Sequence, residues 1–300
     1  MKRTFKKIIV YIITQIARAI LWQHKPYVIA ITGNLGKTTT KDAVVAAISN
    51  LDVRGSAKSL NSEVGVPLTI IGANNPWSHV GKWILVILKG IVVFFSKNYP
   101  EFLVLEVGAD QIGDIKSLVR WLSPNVVILT QFAPVPVHIE NFNNDRELLV
   151  KEKEYLAIAA TDMLIYNGDD IDCQRISKRA GALNADLHRV SFGRGLHNTL
   201  ILRDAGNSYD LHSAIGTLEY DHRLYKVSID EALGQATIVS VMPGILASIY
   251  LNGNEKGNVL DTINDTVKRL NKMERQPGRM HPLYGIKNTL IIDDTYNSSP

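Results

Sequence analysis

Cysteine is almost missing from this sequence: Cys173 is the single thiol in 300 residues. One thiol excludes an internal disulfide and any multi-cysteine metal centre, and a reducing cytoplasm is the simplest compartment for such a chain. Acidic residues are missing before Asp42, although Lys2, Arg3, Lys6, Lys7, Arg18, Lys25, Lys37 and Lys41 all precede it. Also lacking is an apolar run of the ~20 residues needed to cross a bilayer. Arg18 interrupts the first candidate, "FKKIIVYIITQIARAILW", and Lys89 with Gly90 splits the second, "WILVILKGIVVFF". No internal repeat or low-complexity linker is present. The charge excess is small, 33 basic against 29 acidic residues, so nucleic acid is not expected as a partner.

What is present is an ordinary globular composition, 46% hydrophobic and 21% charged. Phe5, Ile8, Ile9, Ile12, Ile13, Ile16 and Ile20 recur at helical spacing, which predicts a basic amphipathic helix over residues 1–26. It suits either docking on the protein or peripheral contact of residues 1–25 with an anionic membrane face. From Tyr27 the pattern becomes strand, glycine turn, helix: "YVIAIT", "GNLGK", "TTTKDAVVAAISN". Apolar β-type runs follow at "FLVLEV", "NVVILT", "DMLIYN" and "TLIIDD". Continuous rather than alternating apolar strands imply burial on both faces, hence an α/β fold with a mostly parallel sheet flanked by helices, and the glycine turn after the first strand makes it one of P-loop NTPase type. Residues 189–229 alternate and turn at Gly and Asn-Ser, which predicts a small antiparallel β addition. One principal domain, 27–300, is expected after the first helix.

The turn "ITGNLGKTTTK" carries the first chemistry. A glycine-rich loop between a buried strand and a helix offers backbone N–H groups and the positive helix end to an anion, while a lysine reaches outer phosphates and a hydroxyl binds magnesium. Gly33, Asn34, Leu35 and Gly36 form the loop, Lys37 supplies charge, Thr38 is the magnesium hydroxyl and Thr39 follows. The spacing, G-x-x-G-K-T-T, departs from the usual eight-residue form.

This loop resembles that of the Mur ligase family, the ATP-dependent amide ligases of peptidoglycan precursor synthesis. Further segments match the family in order: "NSEVGVP" with Asn61, "LEVGADQIGDI" with Glu106, "TQFAPVPVHIENF" with His138, "KEKEYL" with Lys153, "QPGRM" with Arg279, and "IIDDTYNSSP" with Asp294 and Asn297. The long match at Glu106 points to the branch that adds D-alanyl-D-alanine to a UDP-muramoyl tripeptide. The resemblance implies ATP and Mg2+ as cofactors. It makes Thr38, Glu106, His138 and a carbamylated Lys153 metal ligands, with Lys151 the nearby competitor for carbamylation. It assigns catalysis to Lys37, Asn61, His138 and Lys153, and phosphate or ribose contacts to Arg279, Asp294 (or Asp293) and Asn297. Gln131 and Gln235 stand where the family has asparagine and G-x-H-N.

The implied partners are a muropeptide-type carboxylate and an amino acid or dipeptide amine, handled by a monomer in the cytoplasm or at the inner face of the membrane. A lipid-linked or poly-γ-glutamate type substrate, or a nucleotide-binding module without ligation, are the alternatives. A complete ligase of this kind also carries a UDP-binding and an amine-binding domain, so the sequence is expected to represent the central ATPase domain.

Overall fold

The computed structural model describes residues 3–56, 59–77, 79–134, 136, 139–252, 259–273, 278, 281–286, 289–293 and 295. These form two compact units: residues 1–41, 51–164 and 175–189 in the first, and 42–50, 165–174 and 190–300 in the second.

The first unit is built on parallel strands. β1 (Tyr27–Thr32) lies between β3 (Phe102–Glu106) and β4 (Val126–Leu129), and β2 (Val53–Gly55) borders β3. Every residue of β3 and β4 is buried, which is why these strands read as unbroken apolar runs. Helix α3 (Gly65–Ile71) packs on β3, and α6 (Arg146–Ile158) packs on β1 and β4. Helix α2 (Lys37–Ala47) opens immediately after the glycine loop.

The predicted amphipathic helix forms as α1 (Arg3–His24), and its apolar stripe docks on the protein. Ile9, Ile13, Ala17 and Ile20 are buried, and α1 packs against α3 and α4 (Val80–Phe95). Lys89 and Gly90 do not divide α4, which is one continuous helix. The reason is packing: a Cβ on Gly90 would lie 2.5 Å from Ile16 Cγ2, so the glycine lets α1 and α4 approach.

In the second unit β7 (Leu200–Asn207), β8 (Ser213–Tyr220) and β9 (Arg223–Asp230) form the expected antiparallel meander, with β6 (His188–Gly193) parallel to β7. Asp221 and His222 have φ of 50° and 60°, the left-handed pair of a tight two-residue hairpin between β8 and β9. Helix α8 (Gln235–Leu251) packs on β7 and β8, and α9 (Val259–Leu270) on β9. The run "TLIIDD" supplies β11 (Leu290–Asp293), paired antiparallel with β10 (His281–Tyr284) rather than placed in the parallel sheet. Between the sheets' other elements run α5 (Asp114–Leu118), β5 (Met163–Asn167) and α7 (Ile171–Leu183).

Candidate active site

Strand register creates the site. Ile31 pairs with Glu106, so the carboxyl end of β3 stands beside the point where β1 enters the glycine loop. Crevices at the carboxyl ends of parallel strands are where open α/β sheets bind ligands. Gly33 has φ 145° and Gly36 φ 76°, and a Cβ on Gly33 would fall 2.0 Å from Thr130 Oγ1. Both positions therefore need glycine. The loop is held from β4: Asn34 and Leu35 donate their N–H groups to the Gln131 carbonyl at 2.7 and 3.2 Å, and Thr130 Oγ1 donates to the Leu35 carbonyl at 2.6 Å. Because Gln131 acts here through its backbone, its replacement of the family's asparagine leaves the loop anchor intact.

The loop delivers Thr38 onto Glu106. Thr38 Oγ1 donates to Glu106 Oε2 at 3.0 Å, while Ser59 Oγ and Asn61 Nδ2 donate to Oε1 at 2.9 and 3.1 Å. Thr38 and Glu106 are 5% and 2% exposed, so hydroxyl and carboxylate oxygens meet in a dry setting. Hard oxygen donors in this number fit magnesium, which keeps several waters and takes one or two protein ligands beside nucleotide phosphates. Asn34 Oδ1, buried in the loop itself, has no hydrogen-bond partner among the described residues. A buried polar atom without a partner beside a loop of N–H groups fits a ligand-binding position.

Lys153 is buried on α6, and Lys151 is exposed. Burial, reinforced by the positive charge of Lys37, lowers the Lys153 amine to about 7, with Glu152 and Asp110 acting in the opposite sense. Its neighbour Glu152 fixes the segment carrying the glutamate motif. Glu152 accepts N–H bonds from Gly113, Ile115 and Lys116 at 2.8, 3.0 and 3.3 Å, covering the start of α5. Asp114 Oδ2 closes the preceding turn by accepting from Asp110 and Gln111 at 2.9 and 3.0 Å. Beside it opens a cleft of about 310 Å3 lined by Asn61, Gly108, Gln111, Gly113 and Ser117.

The structure thus gathers Gly33 to Thr39, Asn61, Glu106 and Lys153 within the first unit. His138, Arg279, Asp294 and Asn297 lie outside the described residues. Asp293, the alternative to Asp294, accepts the Gly278 N–H at 2.9 Å and ties a turn. Gln235 opens α8 and accepts from Arg194 at 2.9 Å. Sequence reasoning missed Ser59, Thr130 and Glu152; Ser59 had a signal, standing two residues before Asn61, whereas Thr130 and Glu152 looked like strand end and charged face.

A glycine loop that leaves a buried parallel strand, with lysine and threonine opening the next helix and a buried glutamate across from the threonine, is an arrangement suited to cradling a phosphate group. The description "Mur ligase middle domain" matches residues 31–230, and the chain belongs to the Mur ligase family. Similar curated proteins include the UDP-N-acetylmuramoyl-tripeptide--D-alanyl-D-alanine ligases of Bacillus subtilis, 24% identical over 95% of this chain and 53% of that protein, and of Mycobacterium leprae, 28% identical over 91% and 48%. Among solved structures, MurF from Thermotoga maritima in complex with ADP matches with a TM-score of 0.71 at 23% identity, covering 97% of this chain and 58% of that one. MurF from Acinetobacter baumannii gives 0.72 at 21%, covering 96% and 55%. The chain spans about half the length of the curated relatives it matches.

Proposed function

We propose that this chain is the ATP-using part of an amide ligase, which activates a muropeptide carboxylate as an acyl phosphate for attack by an amine, with UDP-muramoyl tripeptide and D-alanyl-D-alanine as substrates. The observation that carries the reading is the buried Thr38–Glu106 contact at the mouth of the glycine loop, with Lys37 and Lys153 close enough to repel each other. Two lysines brought together at one loop favour a polyanion between them. The family's name and the relatives' names supply the reaction class.

In the first step a carboxylate oxygen bonds the γ-phosphorus and the bond to the β-phosphate oxygen breaks, releasing ADP. In the second the amine bonds the acyl carbon, the carbon–oxygen bond to phosphate breaks, and the amine loses its proton. Both steps crowd negative charge near the γ-phosphate. The Lys37 ammonium and the N–H groups of the first turn of α2, which a helix leaves without intrahelical acceptors, are positioned to neutralise it. Thr38 and Glu106 would hold magnesium, whose chemistry is to screen the phosphate oxygens and align them. Asn61 keeps the Glu106 carboxylate oriented. Lys153, its amine lowered to about 7, can bond through nitrogen to the carbon of carbon dioxide, releasing a proton, and the resulting carbamate would offer an oxygen to metal together with His138; Lys151 is exposed on the same helix. Arg279, Asp294 and Asn297 are assigned nucleotide contacts on family resemblance, the chain acts as a monomer, and residues 1–25 bring their cations to the inner membrane face.

The test is phosphate release from ATP by the protein incubated with UDP-muramoyl tripeptide and D-alanyl-D-alanine. Turnover that needs both substrates and falls at least a hundredfold in Lys37→Ala supports the ligase. Tight Mg-ATP binding without substrate-dependent turnover would favour the nucleotide-binding module instead.

A further inference from the structure

Helix α4 turns a row of apolar side chains to the outside. Val80, Ile84, Leu85, Leu88, Ile91, Val92 and Phe95 are each between 46% and 76% exposed. At ~100° per residue they occupy one arc of roughly 140°. Trp83, Val86 and Gly90 face the protein from the opposite side. Single exposed apolar residues are ordinary, but a contiguous strip two turns and more in length marks an interaction surface.

The surroundings say what covers it. Lys82 and Lys89 run along one margin of the strip, Lys89 donating to the Gly72 carbonyl. Trp77, 74% exposed, stands at its amino end, where a groove of about 520 Å3 is lined by Trp77, Lys82, Leu85 and Lys89. No acidic residue occurs from Val64 to Pro100, nor before Asp42. Helix α1, packed alongside, presents Lys7, Tyr11, Arg18 and Trp22 at its outer face, and the exposed Lys25 follows its last residue. Among the described residues no helix is long and apolar enough to cross a membrane. An apolar helix face margined by cations, carrying no acid of its own and next to amphipathic aromatics, matches the requirements of a helix lying in the plane of an anionic leaflet, although Glu63 pairs with Lys6 of α1 and Glu101 lines a cleft with Arg18.

We propose that the exposed face of α4 inserts into one leaflet of an anionic membrane, with the cations of α1 and α4 meeting lipid phosphates. Ile9, Ile13, Ala17 and Ile20 of α1 are buried on the protein, so α4 supplies the main inserted surface, and α1 adds charge and the exposed Ile8, Tyr11 and Trp22. The proposal does not depend on the ligase reading, because it is measured without nucleotide.

The whole protein is sedimented with vesicles of phosphatidylglycerol and phosphatidylcholine mixed equally, and with phosphatidylcholine alone. Binding to the mixed vesicles and at least tenfold weaker binding to the neutral ones is expected. The triple variant Leu85→Glu, Leu88→Glu, Val92→Glu should lose at least tenfold in binding to the mixed vesicles while keeping the wild-type circular dichroism spectrum and Mg-ATP affinity. Should that variant misfold, Lys82→Glu alone should still weaken binding severalfold. No sedimentation of the wild type, or undiminished binding by the variants, overturns the proposal. So does sedimentation velocity showing a wild-type dimer that the triple variant abolishes, without vesicle binding, since a second copy then covers the face.

Discussion

At Lys153 two effects act in one direction: burial removes water from the ammonium, and Lys37 repels it. With the amine lowered from 10.5 to about 7 by folding, the unfolded chain binds more protons between those values. Stability from this group therefore rises with pH across that window, and the full penalty is present below it. Lys153→Gln should stabilise the protein by about 1–3 kcal/mol at pH 6 in carbonate-free buffer, with the gain fading toward pH 10. Urea denaturation of both proteins across pH checks this, and an unchanged difference at all pH values would contradict it. Gly33→Ala is the complementary case, since both the φ of 145° and the 2.0 Å approach to Thr130 Oγ1 exclude a methyl group. A loss of about 1–3 kcal/mol and of Mg-ATP affinity together is expected, read by thermal unfolding and calorimetric titration.

Among the elements, the α1–α4 seam depends on one missing side chain. Gly90→Val places its Cβ 2.5 Å from Ile16 Cγ2, and the overpacking should cost about 1–3 kcal/mol. Amide exchange in α1 should speed up more than exchange in β1, whose N–H groups are locked between two parallel neighbours. The short α5 is similarly dependent on a remote group. Glu152→Ala removes the two carboxylate oxygens that accept three N–H groups, so α5 should fray and the Gly108–Asp114 loop lose order, seen as faster exchange at Gly113, Ile115 and Lys116. Sequence pattern located α1 and the strands because each bears its own periodicity. It could not show that α4 is continuous, since Gly90 reads as a breaker until Ile16 is placed against it.

For the molecule as a whole, ligand linkage gives the broadest test. Mg-ATP at a hundredfold its dissociation constant should stabilise the native state by about 2.7 kcal/mol, and Lys37→Ala should remove most of that shift in a thermal scan. Glu106→Gln should abolish the magnesium dependence of the shift, because it replaces the carboxylate that accepts from Thr38. The phosphate loop, the buried strands, the basic helix and the order of the motifs were determined by sequence alone, since glycine conformation, apolar runs and helical spacing are properties of neighbouring residues. Only the tertiary structure decided that Lys153 is buried and Lys151 is not, that Glu106 meets Thr38 from 68 residues away, that β11 pairs outside the parallel sheet, and that the apolar face of α4 is left uncovered. Each of these depends on register and burial, which arise between segments far apart in the chain and leave no mark within any one of them.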